Sequence, residues 1–172
     1  MKNLSTNKAY SPQKETFRTN GSDPEMLKLF EDILNSGTSI RIKVTGRSMS
    51  PFLKGNEILS IKKVPVSSLK KGDLILFRTP QDTPVIHRII KRSGVNEDHS
   101  FFQTKGDALF MPDRPINQND VLGKVCKIEE TAFLPWAKNI NMESFFWKKV
   151  NFSIAMLNVL KTELHSAMLR YF

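Results

Sequence analysis

Thr45-Gly46-Arg47-Ser48-Met49-Ser50-Pro51-Phe52 decides how this chain is read. Ser39-Ile40-Arg41-Ile42-Lys43-Val44 leads into it, and its strict alternation predicts a half-buried strand. Gly46 permits backbone angles that other residues avoid, and Pro51 removes a ladder donor and ends regular pairing. Ser48 is therefore expected where the chain leaves a sheet, with its hydroxyl at an edge or in a cleft. That place suits a nucleophile, and it equally suits an ordinary turn serine. Taken alone, the run favours the turn.

Two downstream stretches change the balance. Val85-Ile86-His87-Arg88-Ile89-Ile90 is a second strand-like run, and it carries a histidine. Thr104-Lys105-Gly106-Asp107 through Pro112-Asp113-Arg114 is a loop with two aspartates six apart. Serine, histidine and aspartate at strand ends form the set that acyl transfer needs. A serine hydroxyl is a weak nucleophile until a base takes its proton, and an imidazole does that near neutral pH. A carboxylate then holds the imidazole in one tautomer and stabilises its charged form.

These residues carry a resemblance. Gly46-Arg47-Ser48-Met49-Ser50-Pro51-Phe52 with Gly55-Asn56-Glu57-Ile58-Leu59 resembles the Ser-Met-x-Pro box of type I signal peptidases and of the wider clan that includes self-cleaving SOS repressors. Leu69-Lys70-Lys71-Gly72-Asp73-Leu74-Ile75-Leu76-Phe77-Arg78 is similar to the family's Gly-Asp-apolar strand, and Val85-Ile86-His87-Arg88 to its third box. Thr104 through Arg114 resembles the fourth box, and Val121-Leu122-Gly123-Lys124-Val125 the closing strand. The match runs in order over about residues 40 to 128. Ser-Met-x-Pro alone is a weak signal; five ordered boxes are a specific one. A histidine at position 87, where other branches place lysine, resembles the archaeal, endoplasmic-reticulum and spore-former subgroup. The resemblance implies Ser48 as nucleophile, His87 as general base and Asp113 as the third member, with Asp107 as a supporting carboxylate or alternative partner. It also implies a peptide or preprotein substrate with small residues just upstream of the cut; no cofactor is expected. Some members carry a serine two residues before the nucleophile to help hold the oxyanion; this chain has Gly46 there.

Composition bounds the rest. The chain has 172 residues and 40% hydrophobic content, which suits one domain with a real core. A single cysteine, Cys126, excludes an intrachain disulfide and reads as a small buried apolar residue. The net charge of +9 is spread along the chain. It favours anionic surfaces, and without a nucleic-acid motif it makes nucleic acid a poor candidate partner. No His/Cys/Asp/Glu spacing matches a metal site and no Gly-rich phosphate loop is present. His99, in a polar loop tip, and His165, on a C-terminal helix, read as structural or solvated.

Along the chain, residues 1–22 read as a disordered tail and 23–37 as a helix opened by Asp23-Pro24 and closed by Gly37. Residues 38–130 read as the β catalytic domain, with strands at 38–45, 57–64, 73–78, 85–92, 100–105 and 121–129. The expected fold is mostly β: a folded-over antiparallel sheet or partial barrel of signal peptidase type, flanked by the two helices. Residues 131–143 read as a connector and 144–172 as an amphipathic helix. On that helix Ser144, Lys148, Asn151, Ala155, Asn158, Thr162 and Ser166 form a narrow polar or small stripe beside a wide apolar surface. The apolar surface needs a cover: an anionic membrane interface through 144–172, the β unit, or a partner chain. No stretch is long and apolar enough to span a bilayer, whereas signal peptidases are anchored by a hydrophobic helix. Residues 1–21 carry no secretory signal, so the expected location is cytoplasmic or peripheral at the cytoplasmic membrane face. The favoured function is a serine endopeptidase. Its rivals are a self-processing regulator of the repressor branch, which needs a DNA-binding unit ahead of the sheet, and a non-catalytic β module that holds a peptide. The oligomeric state is open.

Overall fold

The computed structural model describes residues 16–18, 24–94, 100–131 and 138–171. His99 and Asp23 lie outside the described residues. Helix α1 is Pro24–Asn35. Leu27, Phe30 and Leu34, one face at helical spacing, are buried, and Gly37 closes the helix with φ +82°.

The strands are β1 (Thr16–Arg18), β2 (Ile40–Lys43), β3 (Ile58–Lys62), β4 (Leu74–Arg78), β5 (Pro84–Ser93), β6 (Phe101–Lys105), β7 (Ile116–Asn117), β8 (Val121–Glu130) and β9 (Ile140–Asn141). Among the described residues they form one sheet in the order β1-β2-β3-β8-β4-β5-β6-β7, with β9 on β8. The path has two ends, so the sheet is not closed. Its pairings are antiparallel except β1 on β2. The mostly antiparallel sheet, flanked by a short N-terminal helix and a C-terminal one, matches the expected architecture.

Three strands differ from the reading of the sequence. β1 lies inside 1–22, the segment read as a disordered tail: three residues pair with β2 through backbone groups, which polar composition does not reveal. β9 lies inside 131–143, the segment read as a connector, of which 132–137 fall outside the described residues. β7 is two residues long, too short for any periodicity to show.

Leu74-Ile75-Leu76-Phe77 shows why β4 reads as a continuous apolar run. Leu74 and Leu76 enter a core with α1, β2, β3 and β8, while Ile75 and Phe77 enter a second core with Ile89, Phe102 and Ile116. A strand covered on both faces has no polar face to alternate with. Helix α2 spans Phe145–Tyr171. Among the described residues no helix is long and apolar enough to cross a membrane.

Candidate active site

Ser48 sits in the long connection between β2 and β3, in a turn where Ser50 N–H donates to the Arg47 carbonyl at 3.0 Å. Met49 and Leu53 beside it are buried in the first core and anchor the turn. The connection is pinched at its base: Val44 N–H donates to the Glu57 carbonyl and Asn56 N–H to the Val44 carbonyl. Gly55 and Asn56 there have φ of +91° and +77°, which a glycine and an asparagine tolerate.

His87 lies in β5, opposite Ile75 of β4. Its side chain is buried beside the Phe77 ring, with centroids 6.1 Å apart. His87 Nε2 is 3.0 Å from Ser48 Oγ and Nδ1 is 2.7 Å from Asp113 Oδ2. A carboxylate can only accept, so Nδ1 carries the proton and Nε2 is left to accept from the serine hydroxyl. Thr104 fixes Asp113 twice: its hydroxyl donates to Oδ2 at 2.6 Å, and its carbonyl accepts from Asp113 N–H at 2.9 Å.

The two aspartates, six residues apart, separate cleanly. Asp113 faces His87. Asp107 is buried and receives Arg88 in a bidentate pair, Nε to Oδ1 at 2.9 Å and Nη2 to Oδ2 at 2.7 Å. It also receives Asn158 Nδ2 at 2.6 Å. Among the described residues its hydrogen-bond partners are Arg88 and Asn158, not His87. Gly106, just before it, packs so closely that a Cβ would lie 2.6 Å from the Ser48 carbonyl oxygen and 3.0 Å from His87 Nε2.

Two hollows flank the Ser48–His87 pair. One, of about 170 Å³, is lined by Val44, Thr45, Gly46, Met49 and Pro84 on the serine side. The other, of about 750 Å³, lies on the His87–Asp113 side with Phe77, Val85, Arg78 and Arg114.

Sequence reasoning passed over Thr104, Gly106, Lys105, Asn151 and Asn158. Asn151 and Asn158 were visible as part of the polar stripe on α2, and their spacing of seven puts them on one face. Lys105 is buried with its ammonium 2.9 Å from Asn158 Oδ1. Burial, and then the charge of Lys161, hold its pKa below the ordinary value; Asp107 and Asp113 oppose this. Of the remaining residues, Cys126 is half-buried and burial raises its thiol pKa. His165 stacks on Phe110 with centroids 5.1 Å apart.

An open, mostly antiparallel sheet flanked by a short N-terminal helix and a C-terminal helix is consistent with a signal-peptidase-like fold. Comparison with known proteins points the same way. The chain is similar to signal peptidase I W of Bacillus subtilis (strain 168), 31% identical over 91 residues that cover 52% of this chain and 42% of that protein. It is also similar to the signal peptidase complex catalytic subunit SEC11C of Homo sapiens and of Canis lupus familiaris, 25% identical over 113 residues, covering 60% of this chain and 56% of each relative. The chain thus spans about half the length of the curated relatives it matches. No protein-family profile matches it. These similarities support kinship with type I signal peptidases and do not distinguish subgroups.

Proposed function

We propose that the chain is a serine endopeptidase that cleaves a preprotein-like peptide through an acyl-enzyme. One observation carries the proposal: the unbroken contact from Ser48 Oγ through both ring nitrogens of His87 to Asp113. A module that merely holds a peptide has no need for these three residues to meet. Ser48 Oγ attacks the scissile carbonyl as its proton passes to His87 Nε2. The C–N bond then breaks, and the same proton goes to the leaving amine. Water attacks the ester in the second half, giving its proton to His87, and the acid product leaves with Ser48 restored. Asp113 stays ionised, holds Nδ1–H and stabilises the imidazolium. We assign the oxyanion to the Ser48 backbone N–H. The hollow of about 170 Å³ beside Ser48 suits a small side chain upstream of the cut. The test uses a synthetic peptide with an apolar run followed by small residues, together with a fluorophosphonate label. Wild type should cleave the peptide and take the label at Ser48. Ser48→Ala should lose both; residual cleavage above about a thousandth of wild type removes Ser48 as nucleophile.

The surface of α2 bears on where this reaction takes place. Phe145, Phe146, Phe152, Met156, Leu157, Leu160, Leu164, Met168 and Leu169 are exposed. Lys148, Lys149, Lys161 and Arg170 share the helix with one acid, Glu163. A cleft of about 770 Å³ containing Lys70, Lys71 and Lys148 opens beside Phe152, and Lys71 reaches Met156 on the exposed face. Apolar side chains edged by cations fit an anionic lipid surface of the kind cytoplasmic leaflets present, with the helix lying in the headgroup layer. We read the protein as peripheral on such a membrane.

A further inference from the structure

Apart from Trp147, which packs on Phe52 at the edge of the first core, helix α2 meets the rest of the protein with its narrow polar stripe and turns most of its wide apolar surface outward. Asn151, Ala155 and Asn158 are the buried residues of that stripe. Asn158 Oδ1 accepts from Lys105 Nζ at 2.9 Å, and its Nδ2 donates to Asp107 Oδ1 at 2.6 Å. The amide can sit in only one sense, because an ammonium only donates and a carboxylate only accepts. Asn151 Oδ1 accepts from Arg88 Nη1 at 2.6 Å, while the other arm of Arg88 grips Asp107. Both asparagines therefore fill hydrogen-bond positions that buried charges must have filled. Gly72 allows this approach: a Cβ there would lie 2.8 Å from Phe152 N and 2.9 Å from Asn151 C.

Asp107 opens the loop between β6 and β7, and that loop reaches the Ser48–His87 pair at both its ends. Near its start, Ala108 N–H donates to the Ser48 carbonyl at 2.8 Å, and Gly106 packs against Ser48 and His87. Near its end, Asp113 holds His87. In between, Phe110 lies against α2: Lys161 is 4.5 Å and the His165 ring 5.1 Å from its ring centroid, and its carbonyl is 3.3 Å from Thr162 Oγ, whose single proton is shared with the nearer Asn158 carbonyl at 3.0 Å. One loop thus touches α2 at its first turn and its middle, and touches both reacting side chains' supports.

We propose that Asn158, with Asn151, is a positioning residue, and that α2 clamps this loop so that Ser48 and Asp113 are presented together to His87. The proposal rests on the serine-peptidase reading. Displacements of about 1 Å at a reacting pair can cost on the order of 100-fold in rate.

The test compares the full chain with Asn158→Leu, which removes both hydrogen bonds and keeps the branched outline of the side chain. Lys105→Met/Asn158→Leu also removes the ammonium left unpaired and keeps the test available if the single variant does not fold. Ser153→Ala, at an exposed position of the same helix, is the control. The maximal rate of fluorophosphonate labelling at Ser48 should fall at least about tenfold in folded Asn158→Leu and in the double variant, with a displaced pH–rate profile and little change in probe affinity. Ser153→Ala should label like wild type. In proton NMR, the low-field His87 Nδ1–H resonance should be present in wild type and lost or broadened in both Asn158 variants. Labelling within about twofold of wild type, with an unmoved pH profile and an intact resonance, overturns the positioning role. If wild type itself takes no label at Ser48, the peptidase reading fails. The resonance alone then decides whether α2 holds the loop, and its persistence in the variants overturns that too.

Discussion

Gly106 sets the tightest steric limit at the residue scale, since a Cβ there would collide with the backbone of Ser48 and with the His87 ring. Gly106→Ala should keep the sheet and lower Ser48 labelling by about 100-fold, because only the reacting pair has to move. The two aspartates should respond to the same change in different ways. Asp113→Asn removes the charge that opposes the imidazolium and permits the wrong tautomer, so cleavage should fall by about 10³–10⁴-fold with little loss of stability. Asp107→Asn leaves the buried Arg88 without its carboxylate, so its main effect should be destabilisation of about 3–5 kcal/mol, read in a denaturant melt. If Asp107→Asn is the more stable of the two variants, the division of roles is reversed. His87→Ala should remove both cleavage and Ser48 labelling while the sheet stays folded, since no other base contacts the Ser48 hydroxyl among the described residues.

At the scale of elements, α2 is fastened at its first turn by Glu143, which reaches Lys124 at 2.7 Å and Lys148 at 3.1 Å. Burial alone would raise the Glu143 pKa, but the hydrogen bonds and charges of the two lysines outweigh it and hold the carboxyl below its ordinary value of 4.5. Lys124 lies on the opposite side of the same balance: burial lowers its pKa, and Glu143 and Asp73 together raise it. A depressed carboxyl pKa stabilises the fold fully above the unfolded value and ceases to do so as pH falls through the folded one. Protection of the α2 first-turn amides should therefore be constant around neutrality and be lost only as pH falls below about 4.5, the ordinary carboxyl value. Glu143→Gln should flatten that dependence; unchanged acid loosening in the variant would assign it to another carboxylate.

For the whole molecule, the outward apolar surface of α2 predicts that the full chain co-sediments with vesicles containing anionic lipid, and does so less well as salt rises. Leu157→Ser/Leu164→Ser should weaken binding while leaving peptide cleavage in solution intact. These point variants are a better probe than deleting 144–172, because deletion would also strip Asn151 and Asn158 from buried Arg88, Lys105 and Asp107. Full-length protein left in the supernatant as a monomer would rule out the lipid surface. A concentration-dependent dimer broken by the same substitutions would assign the face to a second copy.

Sequence alone was enough to determine the sheet-forming core, both helices and the order of serine, histidine and aspartate. Period two in Ile40–Val44, helical spacing in Leu27, Phe30 and Leu34, and the turn chemistry of Gly37 and Gly55 are local signals, readable without knowing what packs where. The tertiary structure alone decided which carboxylate serves which cation. Asp107 and Asp113 sit on one loop with similar neighbours, and their separation depends on Arg88 and Asn158 arriving from β5 and α2. It also decided which face of α2 turns inward. Amphipathic patterning predicts apolar contact, yet buried Arg88, Lys105 and Asp107 require hydrogen-bond partners, and only the polar stripe of the helix can supply them.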